Sequence, residues 1–269
     1  MALVDLTIAN GIAWVTLNRP EKLNVLDRAT IGELAAHLEQ IKQRPDVRVV
    51  VTRGAGRAYC AGSDLADLAP LSPTEAAIAE RAHAAAGALL DALPHPTIAM
   101  LHGYALGGGL GLALYHDFRF ASDSCVLGLP EVELGWTPPW AMGRLVDVVG
   151  PTHARWLAMG CVRLTGSEAA AIGLVNQIAP PAGLTERVEA FANRLATMPS
   201  AGLRETKALL LQMAPLRRTE WDDAAAAAFE RCFAEPEARG SVTAFLERRA
   251  GTRKNPESRS QNPEVESRG

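Results

Sequence analysis

The sequence predicts an α/β core followed by an all-helical C-terminal region. Up to about residue 180, short strand-like runs alternate with helical segments. From about Leu184 only helical segments follow. A third observation is an apolar run, Thr97-Ile98-Ala99-Met100-Leu101, that leads into three successive glycines and then an apolar, alanine-rich helix.

The elements follow in chain order. Runs 4–8 and 12–17 are split by Asn10-Gly11, the strongest short hairpin signal. Asp27 is placed as the N-cap of a helix running to about Gln43, and 47–52 reads as a strand. Ser72-Pro73-Thr74-Glu75 opens a long alanine-rich helix that stops at Pro94. Strands are expected at 97–101, 117–121 and 175–178, and helices at 184–197, 200–212, 219–234 and 236–249. The run 224–228 is all alanine, so that end should pack against the core or another subunit. The stretch 251–269 is rich in Ser, Asn, Pro, Glu and Arg and has no apolar period, the pattern of a disordered tail. The expected organisation is a core over 1–183, a helical region over 184–250, and the tail.

Composition narrows the function. A net charge of −3, from 27 basic and 30 acidic residues, gives no reason to expect nucleic acid. Cys60, Cys125, Cys161 and Cys232 lie far apart without a Cys-x-x-Cys pair, so reduced thiols in a cytoplasmic protein are expected, with no metal site. The start, Met-Ala-Leu-Val-Asp-Leu, is not expected to act as a signal peptide, and no membrane span is expected.

Chemistry concentrates in three clusters. The segment 56–65 follows a strand with small residues that let backbone approach a ligand. The triple-glycine turn, Gly107-Gly108-Gly109, has free N–H groups and no β-carbons to hold a ligand away. Such a turn suits either a phosphate or an oxyanion. The third, Leu129-Pro130-Glu131-Val132-Glu133-Leu134-Gly135, sets acids in an apolar run, where desolvation lifts a carboxyl toward the range of a general base.

These clusters resemble the crotonase superfamily, the enoyl-CoA hydratase/isomerase family, from Val15 to about Arg249. The run from Thr16 to Asn24 is similar to the family's segment lining the CoA nucleotide. Tyr59-Cys60-Ala61-Gly62-Ser63-Asp64-Leu65 and Gly103-Tyr104-Ala105-Leu106-Gly107-Gly108-Gly109 are similar to its two oxyanion loops. Leu164-Thr165-Gly166-Ser167-Glu168-Ala169 with Gly173-Leu174-Val175-Asn176 resembles the segment closing the core, and Phe245-Leu246-Glu247-Arg248-Arg249 the C-terminal ending. The resemblance implies a spiral of strand–strand–helix units with a helical trimerisation region, hence a trimer or a dimer of trimers. It implies an acyl-CoA substrate and no separate cofactor. By position, the N–H groups of Ser63 and Gly108 would hold a thioester oxyanion and Glu131 would transfer protons. Substrate would contact Lys22, Leu23, Ala61, Gly62, Asp64, Leu65, Gly107, Gly109, Gly111, Pro130, Trp136, Thr137 and Trp140.

The family's hydratases use two glutamates, and the second falls at Gly111. One carboxylate suits a double-bond shift, which needs one group to carry a proton from C2 to C4, better than addition of water. Hydratase action and other chemistry of the superfamily (hydrolysis, decarboxylation, dehalogenation) stay open, as does non-catalytic acyl-CoA binding. Glu133 is an alternative to Glu131 if the segment is a strand. Asp64 is expected to be structural, Cys60 an inert thiol, and His83, His95 and His102 helix-surface, turn or structural residues; Lys22, Arg248 and Arg249 face either phosphates or solvent. Trp136 and Trp140 fit an acyl-pocket wall or the core equally. A Rossmann site fails for want of G-x-G-x-x-G, and a serine hydrolase for want of G-x-S-x-G.

Overall fold

The computed structural model describes residues 2–213 and 218–254. Strands β1 (Val4–Ala9) and β2 (Ile12–Leu17) form an antiparallel hairpin. Its turn has φ of 53° at Asn10 and 75° at Gly11, the doubly positive geometry that Asn-Gly favours. Helix α1 (Arg28–Lys42) is capped by Asp27, whose side chain accepts from the Thr30 amide at 2.8 Å. Strand β3 (Val49–Gly54), the single turn α2 (Leu65–Leu68) and the long helix α3 (Pro73–Ala92) follow. Ser72 and Glu75 close a capping box at the start of α3.

Strand β4 (Thr97–Leu101) leads through β5 (Tyr104–Leu106) into the short helix α4 (Gly108–Leu114). Then come β6 (Phe118–Ser122), β7 (Val126–Gly128), α5 (Met142–Gly160), β8 (Leu164–Thr165), α6 (Gly166–Ala171) and β9 (Gln177–Ala179). Helices α7 (Leu184–Thr197), α8 (Ser200–Met213), α9 (Arg218–Ala234) and α10 (Pro236–Lys254) are the last described elements.

The six-stranded sheet has the order β1-β2-β3-β4-β6-β9 and is parallel from β2 onward, and β5-β7-β8 form a smaller second sheet. Strands buried on both faces read as continuous apolar runs, as β4 does. Their period of two splits the core: Val50 packs with Leu34, Leu90 and Leu110 on the side of α1, α3 and α4. Val49 and Val51 face Leu184, Val188 and Leu195 of α7. Thus α7, the first helix of the helical region, covers one face of the large sheet. Lys207 of α8 is nearly buried and donates to Asp117 at 2.8 Å and to the carbonyls of Leu90 and His95, tying the helical region to the ends of α3 and β4. A third cluster joins Leu68, Ala76, Trp136, Phe229, Phe233 and Val242, sealing α9 and α10 over α2 and α3.

The structure departs from the sequence expectations in three places. The small sheet was not anticipated, because strands of two or three residues cannot show a period. Helix α5 is interrupted at Gly150-Pro151, where Gly150 has φ 71°, which hides its periodicity. Helix α10 continues to Lys254, so the first residues of the expected tail are helical, and 255–269 lie outside the described residues. Among the described residues no helix is long and apolar enough to cross a membrane.

Candidate active site

Backbone bonds lace the first two clusters together. Cys60 N–H donates to the Tyr104 carbonyl and Leu106 N–H to that of Cys60, at 3.0 and 3.1 Å. On the other side, Leu26 N–H donates to Gly62 and Asp64 N–H to Leu26, both at 2.8 Å, which skips the amide of Ser63. Gly107, at φ 53°, turns β5 into α4 and accepts the amide of Gly111, which leaves Gly108 N–H free at the helix start. Among the described residues neither the Ser63 nor the Gly108 amide meets an acceptor. A β-carbon on Gly108 would stand 3.5 Å from the Ser63 nitrogen, so the two donors border one spot. Two amides without acceptors that border one spot can hold a single oxygen atom between them.

Glu131 opens a 3-10 turn, Glu131–Leu134, behind Pro130. It is 7 % exposed, and its Oε2 is buried with no hydrogen-bond partner among the described residues. A β-carbon on Gly107 would come within 2.9 Å of its Oε1, which sets the carboxyl against the glycine turn. Burial, with a smaller contribution from the charge of Glu80, pushes the Glu131 carboxyl up to about 8. The segment is a 3-10 turn and not a strand, so Glu133 does not share the face of Glu131, although it too borders the neighbouring cavity. Its carboxylate is half-exposed and pairs with Arg163 at 2.6 Å.

A cavity of about 910 Å³ runs past these groups. Of the residues expected to meet substrate, Lys22, Leu23, Ala61, Gly62, Ser63, Asp64, Leu65, Gly107, Gly108, Pro130, Glu131 and Trp136 line it. Four others do not. Gly109 packs against backbone, since a β-carbon there would meet the Cys60 carbonyl oxygen at 2.3 Å. Gly111 faces the Trp140 ring, Thr137 stands back half-buried, and Trp140 itself lies in the main core against Tyr115. The two tryptophans therefore divide, with Trp136 on the cavity wall beside Phe229 and Trp140 behind it. Asp64 caps α2 and pairs with Arg19 and Lys22 at 3.2 and 3.1 Å. Burial pushes the Cys60 thiol up to about 12, far from a reactive thiolate. His102 bonds the Gly56 carbonyl, and His95 sits away from this cavity. Arg163, Arg248 and Arg249 join Lys22 around the cavity.

The residue that sequence reasoning missed is Glu80. It lines the cavity yet is 1 % exposed, on the buried face of α3 with Ala76, Ala77, His83 and Gly87. His83 is thus not a surface histidine. Its Nδ1 lies 3.2 Å from Glu80 Oε2 and 3.4 Å from Ser63 Oγ. Both partners meet the same nitrogen, so no serine–histidine–acid relay forms. Trp140 Nε1–H donates to Glu80 Oε2 at 2.9 Å. Burial raises the Glu80 carboxyl, but the charge of His83 and hydrogen bonds from His83, Ser63 and Trp140 outweigh it and hold it below its ordinary value. The signal was legible: a Glu and a His three apart on the apolar stripe of a helix are not a solvated face.

Residues 7–255 match the family model described as Enoyl-CoA hydratase/isomerase. The chain is 34 % identical over 247 residues to a crotonyl-CoA hydratase of Syntrophomonas wolfei, covering 88 % of this chain and 92 % of that one. It is 31 % identical over 245 residues to a short-chain-enoyl-CoA hydratase of Clostridium acetobutylicum, with 88 % and 92 % covered. Among solved structures, an enoyl-CoA hydratase/isomerase from Xanthobacter autotrophicus superposes with a TM-score of 0.84 at 28 % identity, covering 96 % of this chain and 97 % of that one.

Proposed function

The chain belongs to the enoyl-CoA hydratase/isomerase family, and from that premise we propose that it moves a proton at C2 of an enoyl-CoA thioester. In this reading the Ser63 and Gly108 amides hold the thioester oxygen and Glu131 carries the proton. The observation that supports it is the buried, unpartnered Oε2 of Glu131 beside two amides without acceptors. Taking a proton from C2 sends the electron pair onto the thioester oxygen as an enolate. Two fixed N–H donors stabilise that charge without reorganising, and one such donor is worth about 2.7–4 kcal/mol of barrier. A carboxyl near 8 is also better matched to carbon acid chemistry at neutral pH than an ordinary glutamate.

Two outcomes of that step divide the reading. With Glu131 alone, the proton returns at C4 and the double bond shifts, the isomerase outcome that Gly111 favours. Addition of water at C3 needs a second group, and Glu80 in the same cavity favours it. The names of the two curated relatives also lean to hydration. The trimer or dimer of trimers is part of the proposal. Trp156 and Met159 on α5, 47 % and 73 % exposed, are an apolar surface that a second subunit would cover, and a monomer by light scattering would remove this point.

The test is solvent exchange. Butyryl-CoA incubated with the protein in deuterated water should gain deuterium at C2, and Glu131→Gln should slow this by about 10²–10⁴-fold. No exchange by the parent protein, or equal exchange by the variant, would sink the reading.

A further inference from the structure

We propose that Glu80 is the second carboxylate of this site, the base that activates water for addition at C3 of a 2-enoyl-CoA, delivered from α3 instead of from α4. The inference rests on the reading of Glu131 given above.

Three observations carry it. First, the position on α4 is crowded. A β-carbon on Gly111 would lie 3.1 Å from Cζ3 and 3.2 Å from Cη2 of Trp140, so any side chain there requires the indole to shift. Second, the same indole reaches past Gly111 and donates Nε1–H to Glu80 Oε2 at 2.9 Å. The side chain that crowds position 111 therefore orients an acid at 80. Third, Glu80 lines the cavity that holds Glu131, Ser63 and Gly108, and it is close enough for its charge to act on Glu131. A nearly buried carboxylate at a cavity wall is costly unless held, and His83, Ser63 and Trp140 hold it.

Two carboxyls whose surroundings push them in opposite directions divide the acid and base roles between them. Glu80, kept ionised, takes a proton from water as the oxygen bonds to C3. The C2=C3 electron pair moves toward the thioester, whose oxygen rests on the two amides. Glu131, kept protonated, gives its proton to C2. Net, one water is added, and the proton gained by Glu80 and lost by Glu131 re-equilibrates with solvent.

The experiment compares the parent protein with Glu80→Gln in two assays, hydration of crotonyl-CoA and deuterium exchange at C2 of butyryl-CoA. The substituted amide keeps an acceptor for the Trp140 N–H but cannot take a proton. Hydration should fall by at least about 10²-fold while exchange through Glu131 persists, and persisting exchange shows that the site is still folded. Glu80→Asp should recover part of the hydration, because it restores a base, which a purely structural role would not predict. Hydration by Glu80→Gln at the parental rate overturns the proposal. So does a parent protein that exchanges C2 protons yet adds no water, and that result leaves the Glu131 reading standing. Absence of both activities in the parent sinks the Glu131 reading and this proposal with it.

Discussion

Glu131 and Glu80 share a cavity, and their opposite shifts give opposite stability signatures. For Glu131 the folded carboxyl titrates at about 8 against an ordinary value of 4.5, so the folded state binds the proton more tightly. Below 4.5 both states are protonated and no penalty exists. Between 4.5 and 8 the unfolded chain ionises while the folded one does not, and stability falls by about 1.4 kcal/mol per pH unit. Glu131→Gln should therefore unfold at a higher temperature than the parent at about pH 8 and at the same temperature near pH 4. Glu80 is lowered on folding, so its ionised form contributes stability that is lost on acidification. Glu80→Gln should be the less stable protein at neutral pH, with the gap closing as pH drops; calorimetry across pH separates the two. A Glu131 effect that does not depend on pH would contradict its buried, protonated state. The same carboxyl sets the rate profile. As the acid in hydration, Glu131 must be protonated, so kcat/KM should decline as pH rises through about 8, whereas proton abstraction for a double-bond shift should rise through that value.

At the scale of elements, the site depends on how closely the loop after β3 approaches α4. The missing β-carbon of Gly109 is what lets the Cys60 carbonyl sit there. Gly109→Ala places a methyl 2.3 Å from backbone that is itself bonded to Leu106, so it cannot yield like a flexible side chain. The expected loss is about 1–3 kcal/mol in denaturant unfolding, along with activity, since Ser63 and Gly108 would be forced apart. Gly32 in α1 is exposed with nothing within 4 Å of a β-carbon, and Gly32→Ala should be neutral or stabilising by about 0.5–1 kcal/mol. Equal losses from both would refute the packing argument. These elements also mark what the sequence could disclose. The hairpin, α1 and α3 were legible because Asn10-Gly11, Asp27 and Ser72–Glu75 carry their own local chemistry. The three clusters were legible as motifs, with Ser63, Gly108 and Glu131 set beside one cavity. What was hidden depends on tertiary neighbours. Gly109 and Gly111 look alike in sequence, but one admits a carbonyl and the other an indole. Glu80 lies far from Glu131 along the chain, and only the packing of α3 against Trp140 brings the two together.

For the whole molecule, the formal charge is −3, which by itself would repel an anionic thioester. The charge is not spread evenly. Around the cavity stand Lys22, Arg163, Arg248 and Arg249; Lys22 pairs with Asp64 and Arg163 with Glu133. Arg248 and Arg249 come from α10, the last described helix, which packs over α2 and the Glu131 turn through the cluster of Trp136, Phe229 and Val242. The fold thus brings cations from distant parts of the chain to one opening, and in the proposed reading their field would act on the phosphates of CoA. With screening over about 8–10 Å at physiological salt, kcat/KM for an enoyl-CoA should decline as salt is raised. Arg248→Ser with Arg249→Ser should raise KM by about tenfold, roughly 1.4 kcal/mol of binding, with most of the loss in KM and less in kcat. The salt dependence should flatten along with it, because the removed charges are the ones salt screens. If the double variant keeps both its KM and the parental salt slope, α10 closes the cavity by its apolar face alone and its arginines do not act on the ligand.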